Sequence, residues 1–389
     1  MPGLEAWVQA HRTACYDPRR MRQGGKRMNQ FNRVAAAAAW LGATHASALA
    51  PVADYPIHWP RPASGGSATH GGHEGSTHEI AWDERRGGDL WISGQNWDSL
   101  ARVDPASRRM RFLAMPRGSG PHGIEFDAAG RLWVTLEFHG RVQVRDPADG
   151  RVIADHDVRL HCRGCPQPIN SHPHGLGIGP DGRTAWFTGK ATGTVGRIAP
   201  DGTVTTWPLR NVGSVPIYIR AGPDGNMWVT ELVGNAIARV TPDGRIDEFQ
   251  IPTPNSRPIA IVPGRDGAMW FSEETGGKIG RIDRSGGITE IAVPRAHPAA
   301  ILAGLSFDGD GNLWVQQYAP AGTQDAGPDH LIRIDRAALA PGASAATPRA
   351  FTFYPVSTLG TVMHRIMIGP DRALWFTEMQ ADRVGRLAI

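Results

Sequence analysis

The sequence predicts an all-β chain folded as a seven-bladed β-propeller of four-stranded antiparallel blades. Three observations carry the prediction. First, Trp91, Trp133, Trp186, Trp228, Trp270, Trp314 and Trp375 recur at steps of 42, 53, 42, 42, 44 and 61 residues. Second, each sits in the same phrase, as in Leu132-Trp133-Val134-Thr135 and Leu374-Trp375-Phe376-Thr377. A unit of about forty residues repeated in this way marks a propeller or solenoid. Third, the 48 glycines and 31 prolines of the 389 residues fall at regular turns, as many short strands require.

Residues 1–50 read as an N-terminal extension and signal peptide. A basic segment, Lys26 to Arg33, precedes the apolar, Ala-rich run Val34 to Leu41. Ala46-Ser47-Ala48 and Ala48-Leu49-Ala50 both fit a small-x-small cleavage rule, so the signal is expected to end near Ala48 or Ala50. The apolar run is too short for a stable membrane span. The expected destination is the periplasm or the exterior.

Residues 51–76 are assigned to a closing strand and a Gly/Ser linker, and residues 77–389 to the propeller. Val215 to Pro252 shows the plan of one blade. Pro216-Ile217-Tyr218-Ile219 is a strand, and Gly222-Pro223-Asp224-Gly225 a turn with proline and glycine where the backbone needs them. Met227-Trp228-Val229-Thr230 is the second strand, Ala236 to Val240 the third and Ile246 to Ile251 the fourth. The seventh copy ends after its third strand. Asp54-Tyr55-Pro56-Ile57-His58-Trp59-Pro60 resembles the missing fourth strand and is expected to complete the last blade, closing the ring.

Net charge of +4 with scattered Arg gives no basic run, which argues against nucleic acid as a partner. Cys162 and Cys165 are the pair left after signal removal, and a small loop disulfide is expected in an oxidising compartment. The long steps hold loops at 319–328 and 337–348, rich in Ala, Gly and Pro, of the kind that shapes a binding face.

In a propeller the first strand of each blade lines the central channel. At its start the copies read His78, His122, His174, Ile217, Ile259, Ala299 and His364. Ring closure makes copies seven, one, two and three neighbours, so four imidazoles should line one arc of the channel mouth. Tyr218 and Arg220, with His122 and His174, are candidate substrate contacts. The second strand returns to the same face and ends at Gly94, Leu136, Gly189, Glu231, Glu273, Gln317 and Glu378. Glu378 is therefore expected beside His364, as metal ligand or orienter of a base. Glu231 and Glu273 are expected to be solvated, or paired with Arg220 or a backbone group.

Trp375-Phe376-Thr377-Glu378 followed by Asp382-Arg383-Val384-Gly385-Arg386, and Trp270-Phe271-Ser272-Glu273 with Lys278-Ile279-Gly280-Arg281, resemble the repeat of the virginiamycin B lyase (streptogramin lyase) family. The resemblance covers residues 77–389. It implies a seven-bladed propeller that opens a cyclic depsipeptide by elimination with Mg²⁺. A base takes the proton α to the carbonyl, and a cation steadies the enolate-like charge. Carried over residue by residue, the family's base falls on His364 and a Mg²⁺ ligand on Glu378. Its other glutamate falls on Val362, and a substrate-contacting histidine on Ala299. His78, His122 and His174 are additional to that pattern. Propellers of the NHL-repeat type, such as the peptidyl-hydroxyglycine lyases, are similar in binding zinc through Pro-His-Gly segments.

The candidate metal ligands are therefore His78, His122, His174, His364 and Glu378. The expected divalent metal is Mg by the resemblance, and Zn or Cu by the preference of neutral imidazole. The leading expectation is a metal-dependent lyase acting on a small-molecule or peptide-like ester, with His364 and Glu378 catalytic. The alternatives are a non-catalytic propeller that captures a ligand or protein partner, and a hydrolytic or redox metalloenzyme built on the histidine arc.

Overall fold

The computed structural model describes residues 50–60, 75–85, 87–161, 164–340 and 350–389. The signal-peptide region 1–49, most of the Gly/Ser linker (61–74), Cys162 and most of the 337–348 loop lie outside them. Residues 50–161 and 167–389 form one compact unit. Of the second unit, 1–49 with 162–166, only Gly164, Cys165 and Pro166 are described, and Cys165 is disulfide-bonded.

The compact unit is the expected propeller. A first strand, β1 (Ala53–Pro56), precedes the blades. Blade 1 is β2 (Thr77–Ala81), β3 (Leu90–Gly94), β4 (Ser99–Val103) and β5 (Met110–Ala114). Blade 2 is β6 (Pro121–Phe126), β7 (Leu132–Leu136), β8 (Arg141–Arg145) and β9 (Val152–Asp157). Blade 3 is β10 (Pro173–Ile178), β11 (Ala185–Gly189), β12 (Thr194–Ile198) and β13 (Val204–Pro208). Blade 4 is β14 (Pro216–Ala221), β15 (Met227–Glu231), β16 (Ala236–Val240) and β17 (Ile246–Gln250). Blade 5 is β18 (Pro258–Pro263), β19 (Met269–Glu273), β20 (Lys278–Ile282) and β21 (Ile288–Ala292). Blade 6 is β22 (Ile301–Phe307), β23 (Leu313–Tyr318), β24 (His330–Ile334) and β25 (Phe351–Pro355). Blade 7 is β26 (Met363–Ile368), β27 (Leu374–Glu378) and β28 (Arg383–Leu387), completed by β1.

The closing strand pairs antiparallel with β28, Ala53 opposite Arg386 and Pro56 opposite Arg383. Just beyond it, the Trp59 indole N–H donates to Thr77 Oγ1 and Asp382 Oδ1, each at 3.1 Å. Asp382 also accepts from Ser76 N at 2.8 Å, so blade 7, the closing segment and blade 1 share one buried clasp.

The repeated phrase has a physical cause at each position. The tryptophan of the second strand is buried at 0–4% exposure in every blade. Burying a side chain of that size is worth roughly 4–6 kcal/mol before entropy is subtracted. Its N–H must find an acceptor, and the turn aspartate supplies it: Trp133 to Asp127 at 2.9 Å, Trp228 to Asp224 at 3.0 Å, Trp375 to Asp371 at 2.9 Å. In blades 5 and 7 the third-strand arginine, Arg281 or Arg386, binds the same aspartate. Arg386 Nε lies 2.7 Å from Asp371 Oδ2, with its guanidinium carbon 5.9 Å from the Trp375 centroid.

The hydroxyl two places after the tryptophan joins neighbouring blades. Thr188 Oγ1 accepts from Gly175 N at 2.8 Å and donates to Ile217 O of blade 4 at 3.1 Å. Thr377 accepts from Arg365 N at 3.0 Å and donates to His78 O of blade 1 at 2.7 Å. In blade 6 the Gln316 amide does the same work, accepting from Gly304 N and donating to Arg365 O. These links bring the first strands into a closed ring in which β26 neighbours β2.

The ring is tight. A Cβ on Gly175 would stand 2.1 Å from the Ile217 carbonyl oxygen, a backbone atom that cannot rotate away. Gly175→Ala is therefore expected to destabilise the fold by about 1–3 kcal/mol, as overpacking does. Denaturant melts would show this, and an unchanged midpoint would contradict the close approach.

Candidate functional site

Every first strand carries a β-bulge, which decides what faces the channel. In blade 3, Pro173 pairs with Gly189 and Leu176 with Phe187, so His174 and Gly175 together oppose Thr188. Two residues against one bends the strand and re-aims both side chains. The bulged pairs are His78-Glu79, His122-Gly123, His174-Gly175, Ile217-Tyr218, Ile259-Ala260, Ala303-Gly304 and His364-Arg365. Blade 6 corrects the sequence alignment. Leu302, not Pro298, pairs at the end of the second strand, so the hub position is Ala303, and Ala299 lies exposed ahead of β22. Counting back from Trp314 across the register gives this; matching Pro-Ala-Ala-Ile to Pro-Ile-Ala-Ile did not.

The four imidazoles meet as expected. Ring centroids lie 5.0 Å apart for His78–His122, 5.3 Å for His78–His364, 5.6 Å for His122–His364 and 3.8 Å for His122–His174. His78, His122 and His174 are buried. Burial, then the neighbouring imidazoles (His364 for His78, His174 first for His122), lowers His78 to about 4 and His122 well below its ordinary value. Burial, then Lys190, lowers His174 to about 3. All three are neutral imidazoles at pH 7, the form that ligates metals. His78 Nδ1 lies 2.8 Å from the Ser76 carbonyl, a contact that protonates Nδ1 and leaves Nε2 with its lone pair. His122 Nδ1, His174 Nδ1 and His364 Nδ1 are buried without a hydrogen-bond partner.

Glu137, one residue past β7, joins them. Ligand atoms of His122, Glu137 and His174 all lie within 4.8 Å of one another, a cluster that can hold a metal ion. Glu137 is 1% exposed, and its oxygens take Lys190 Nζ at 2.6 Å and Gln95 Nε2 at 2.5 Å, with His172 Nδ1 at 3.7 Å. Burial alone would raise this carboxyl; Lys190 and the two histidines His172 and His174 outweigh it and hold it well below its ordinary value. Sequence reading stopped at Leu136 and missed Glu137, because the residue that turns back to the hub follows the strand rather than ending it.

A second network crosses the axis one residue deeper. Glu79 of blade 1 accepts from the Tyr218 hydroxyl of blade 4 at 3.0 Å and faces His364 Nδ1 of blade 7 at 3.3 Å. Arg365 Nε lies 3.7 Å from Glu79, and its guanidinium carbon stands 5.1 Å from the Tyr218 ring centroid. Glu125 pairs with Arg365 at 3.5 Å and with Arg220 at 2.6 Å. Burial would raise Glu79; Arg365 and His364 overcome it and lower it to about 2. Tyr218 and Arg220, candidate substrate contacts by sequence, thus hold hub carboxylates. Glu79, Glu125 and Arg365 were not singled out, although Glu79 and Arg365 directly follow hub histidines.

The second-strand glutamates are elsewhere. Thr377 faces blade 1, so strand alternation turns Glu378 to the opposite face of blade 7. Its surroundings are Asp54, Thr358 and Arg383, and the carboxylate that meets His364 is Glu79. Val362 is apolar, and the carboxylate that neighbours Glu378 is Asp54 of β1, on the strand farthest from β26. Glu231 and Glu273 are not solvated but buried at 1% and 0%, and Arg220 binds Glu125 instead.

Burial, then the facing Glu290, pushes Glu273 up from 4.5 to about 8, and neither of its carboxylate oxygens has a hydrogen-bond partner. A raised folded-state pKa means that the fold binds the proton more tightly than the unfolded chain. This stability is full below pH 4.5 and falls as pH rises toward 8, by about 1.4 kcal/mol per unit, to a total of roughly 3–5 kcal/mol. Glu273→Gln is therefore expected to flatten the decline of melting temperature between pH 5 and 8. Parallel pH slopes for variant and parent would exclude the effect.

Comparison with known proteins agrees with this scaffold. The family model described as the virginiamycin B lyase family matches residues 86–326. A solved streptogramin B lyase is similar at 25% identity and TM-score 0.68, over 87% of this chain and 97% of that one. Virginiamycin B lyase from Staphylococcus aureus is similar at 26% identity and TM-score 0.67, over 87% and 99%. A catalytically inactive form of that enzyme with quinupristin matches at 25% identity and TM-score 0.67, over 87% and 99%. No curated protein sequence matches the chain. Among the described residues no helix is long and apolar enough to cross a membrane.

Proposed function

The chain belongs to the virginiamycin B lyase family, and from that premise we propose that it opens a small ester or depsipeptide-type substrate by elimination at the hub. The observation that carries this reading is His364, largely buried at the channel axis with Nδ1 facing a carboxylate. That arrangement leaves Nε2 as a base. Nε2 takes a proton from the carbon α to a carbonyl. The C–H electron pair becomes a C=C bond as the neighbouring C–O bond breaks, and the oxygen departs with its electrons. Imidazolium then returns the proton to the leaving oxygen or to solvent, and no water is consumed. The hub suits an amphiphilic substrate. Imidazoles line one arc, and Ile217, Ile259 and Ala303 hold the equivalent places on the other.

His122, Glu137 and His174 are the residues that would hold a divalent cation, rather than the last blade. Two buried nitrogens without partners and a neighbouring carboxylate support the seat. Neutral imidazole favours Zn²⁺ or Cu²⁺ over Mg²⁺. A bound cation there would supply positive charge for a developing enolate oxygen. Export to the periplasm or exterior fits the layout of residues 26–50 and the Cys165 disulfide.

Mass spectrometry after incubation with quinupristin and a panel of simpler depsipeptide esters tests the reaction class. Elimination gives an opened product of unchanged mass with a new double bond, whereas hydrolysis adds one water. A hydrolysed product, or no product from any ester, would overturn the proposal.

A further inference from the structure

We propose that Glu79 is the positioning residue of the hub base, fixing His364 in the tautomer with the proton on Nδ1 and the lone pair on Nε2. The inference rests on the reading of His364 as base and adds a residue that the sequence motif does not contain. Glu79 comes from blade 1, while the base comes from blade 7. Ring closure alone brings them together.

One hydrogen bond and two ion-pair contacts surround the carboxylate, and His364 Nδ1 and Arg365 Nε are buried with no hydrogen-bond partner. Oε1 accepts the Tyr218 hydroxyl at 3.0 Å and faces His364 Nδ1 at 3.3 Å. Oε2 faces Arg365 Nε at 3.7 Å. Glu79 is 5% exposed, so water does not compete freely for it. Its own backbone N–H is tied to Ser93 Oγ at 3.0 Å, which sets the bulge that aims it. Tyr218 is in turn covered by the Arg365 guanidinium, and Arg365 is shared with Glu125 at 3.5 Å. The carboxylate is therefore held from blades 1, 4 and 7 at once. Glu378, the carboxylate that the sequence offered for this role, faces Asp54 and Thr358 instead.

A carboxylate on Nδ1 does two things for an imidazole base. It selects the tautomer whose Nε2 accepts a proton, and it stabilises the imidazolium that results. Glu79 touches no substrate in this scheme and acts only through His364.

Two-bond ¹H–¹⁵N spectra of histidine-labelled protein, with the His364 signal assigned by its loss in His364→Ala, read the tautomer directly. The parent should show His364 protonated on Nδ1. Glu79→Gln should shift it toward the Nε2-protonated form and lower kcat on a turned-over ester by about 10²–10⁴-fold with KM little changed. Glu79→Asp, which keeps the charge but draws the carboxylate back from Nδ1, should shift the tautomer in the same direction, and serves if the glutamine variant does not fold. An Nε2-protonated His364 in the parent, or a tautomer unmoved by the folded variants, overturns the inference. If His364→Ala keeps full turnover while the tautomer still depends on Glu79, the base reading fails and the positioning contact stands.

Discussion

Replacing His364 with alanine should lower kcat for the ester probe by about 10²–10⁴-fold, the contribution of one positioned base. Stability should hardly change. The side chain is 15% exposed, and its removal strands no charge, because Glu79 keeps the Tyr218 hydroxyl and the Arg365 guanidinium. Nor does a neighbour stand ready to replace it. The His78 and His122 rings are 5.3 Å and 5.6 Å away, and His78 Nδ1 is committed to the Ser76 carbonyl. His364→Gln provides a control of similar bulk. Steady-state turnover beside thermal melts separates the outcomes: full activity in a folded alanine variant would remove His364 from the chemistry.

The second expected result concerns Zn²⁺ binding by the cluster that could hold a metal, His122, Glu137 and His174. His122→Ala with His174→Ala should weaken Zn²⁺ binding by well over the 10–100-fold that outer-shell changes cost, since two ligands go at once. The apo protein should tolerate the change. Each histidine buries an Nδ1 without a partner, so the loss of packing is offset by removal of an unsatisfied polar atom. Glu137 remains held by Gln95 and Lys190. Those contacts need not displace a cation, because each carboxylate oxygen offers more than one lone pair. The readout is twofold: metal content by elemental analysis, and the rise in melting temperature on adding Zn²⁺. A ligand at a hundredfold excess over Kd adds about 2.7 kcal/mol to the folded state, and the double variant should show none of it. Equal, non-zero metal content in parent and variant would move the seat elsewhere, and no Zn²⁺ binding by the parent would remove it.

The two results differ in how much the sequence foretold. The meeting of His78, His122, His174 and His364 was legible, because equivalent positions in adjacent copies of a ring must be neighbours. The same logic failed for Glu378. Equivalence located its backbone opposite Met363, as the register has it, but not the direction of its side chain. Alternation past Thr377 turns the carboxylate to the face of blade 7 opposite blade 1, beside Asp54 and Thr358. In blade 6 the phrase Pro298-Ala299-Ala300-Ile301 imitated a hub strand, and only pairing with Trp314 and Val315 moved the hub to Ala303.

By itself the sequence determined the repeat. A buried indole needs an acceptor, a turn needs its aspartate and glycine, and a bulged strand needs a hydroxyl, all within one forty-residue unit. It also determined closure, since β1 carries the fourth strand that blade 7 lacks. Tertiary structure alone decided which carboxylate serves which imidazole. Glu79 reaches His364 and Tyr218 from residues 285 and 139 positions away. Glu137 reaches His174 through a turn that belongs to no strand. Local rules of pairing and burial act within a blade and repeat with it. Contacts across the axis join unlike residues from different blades, and no periodic pattern in the chain encodes them.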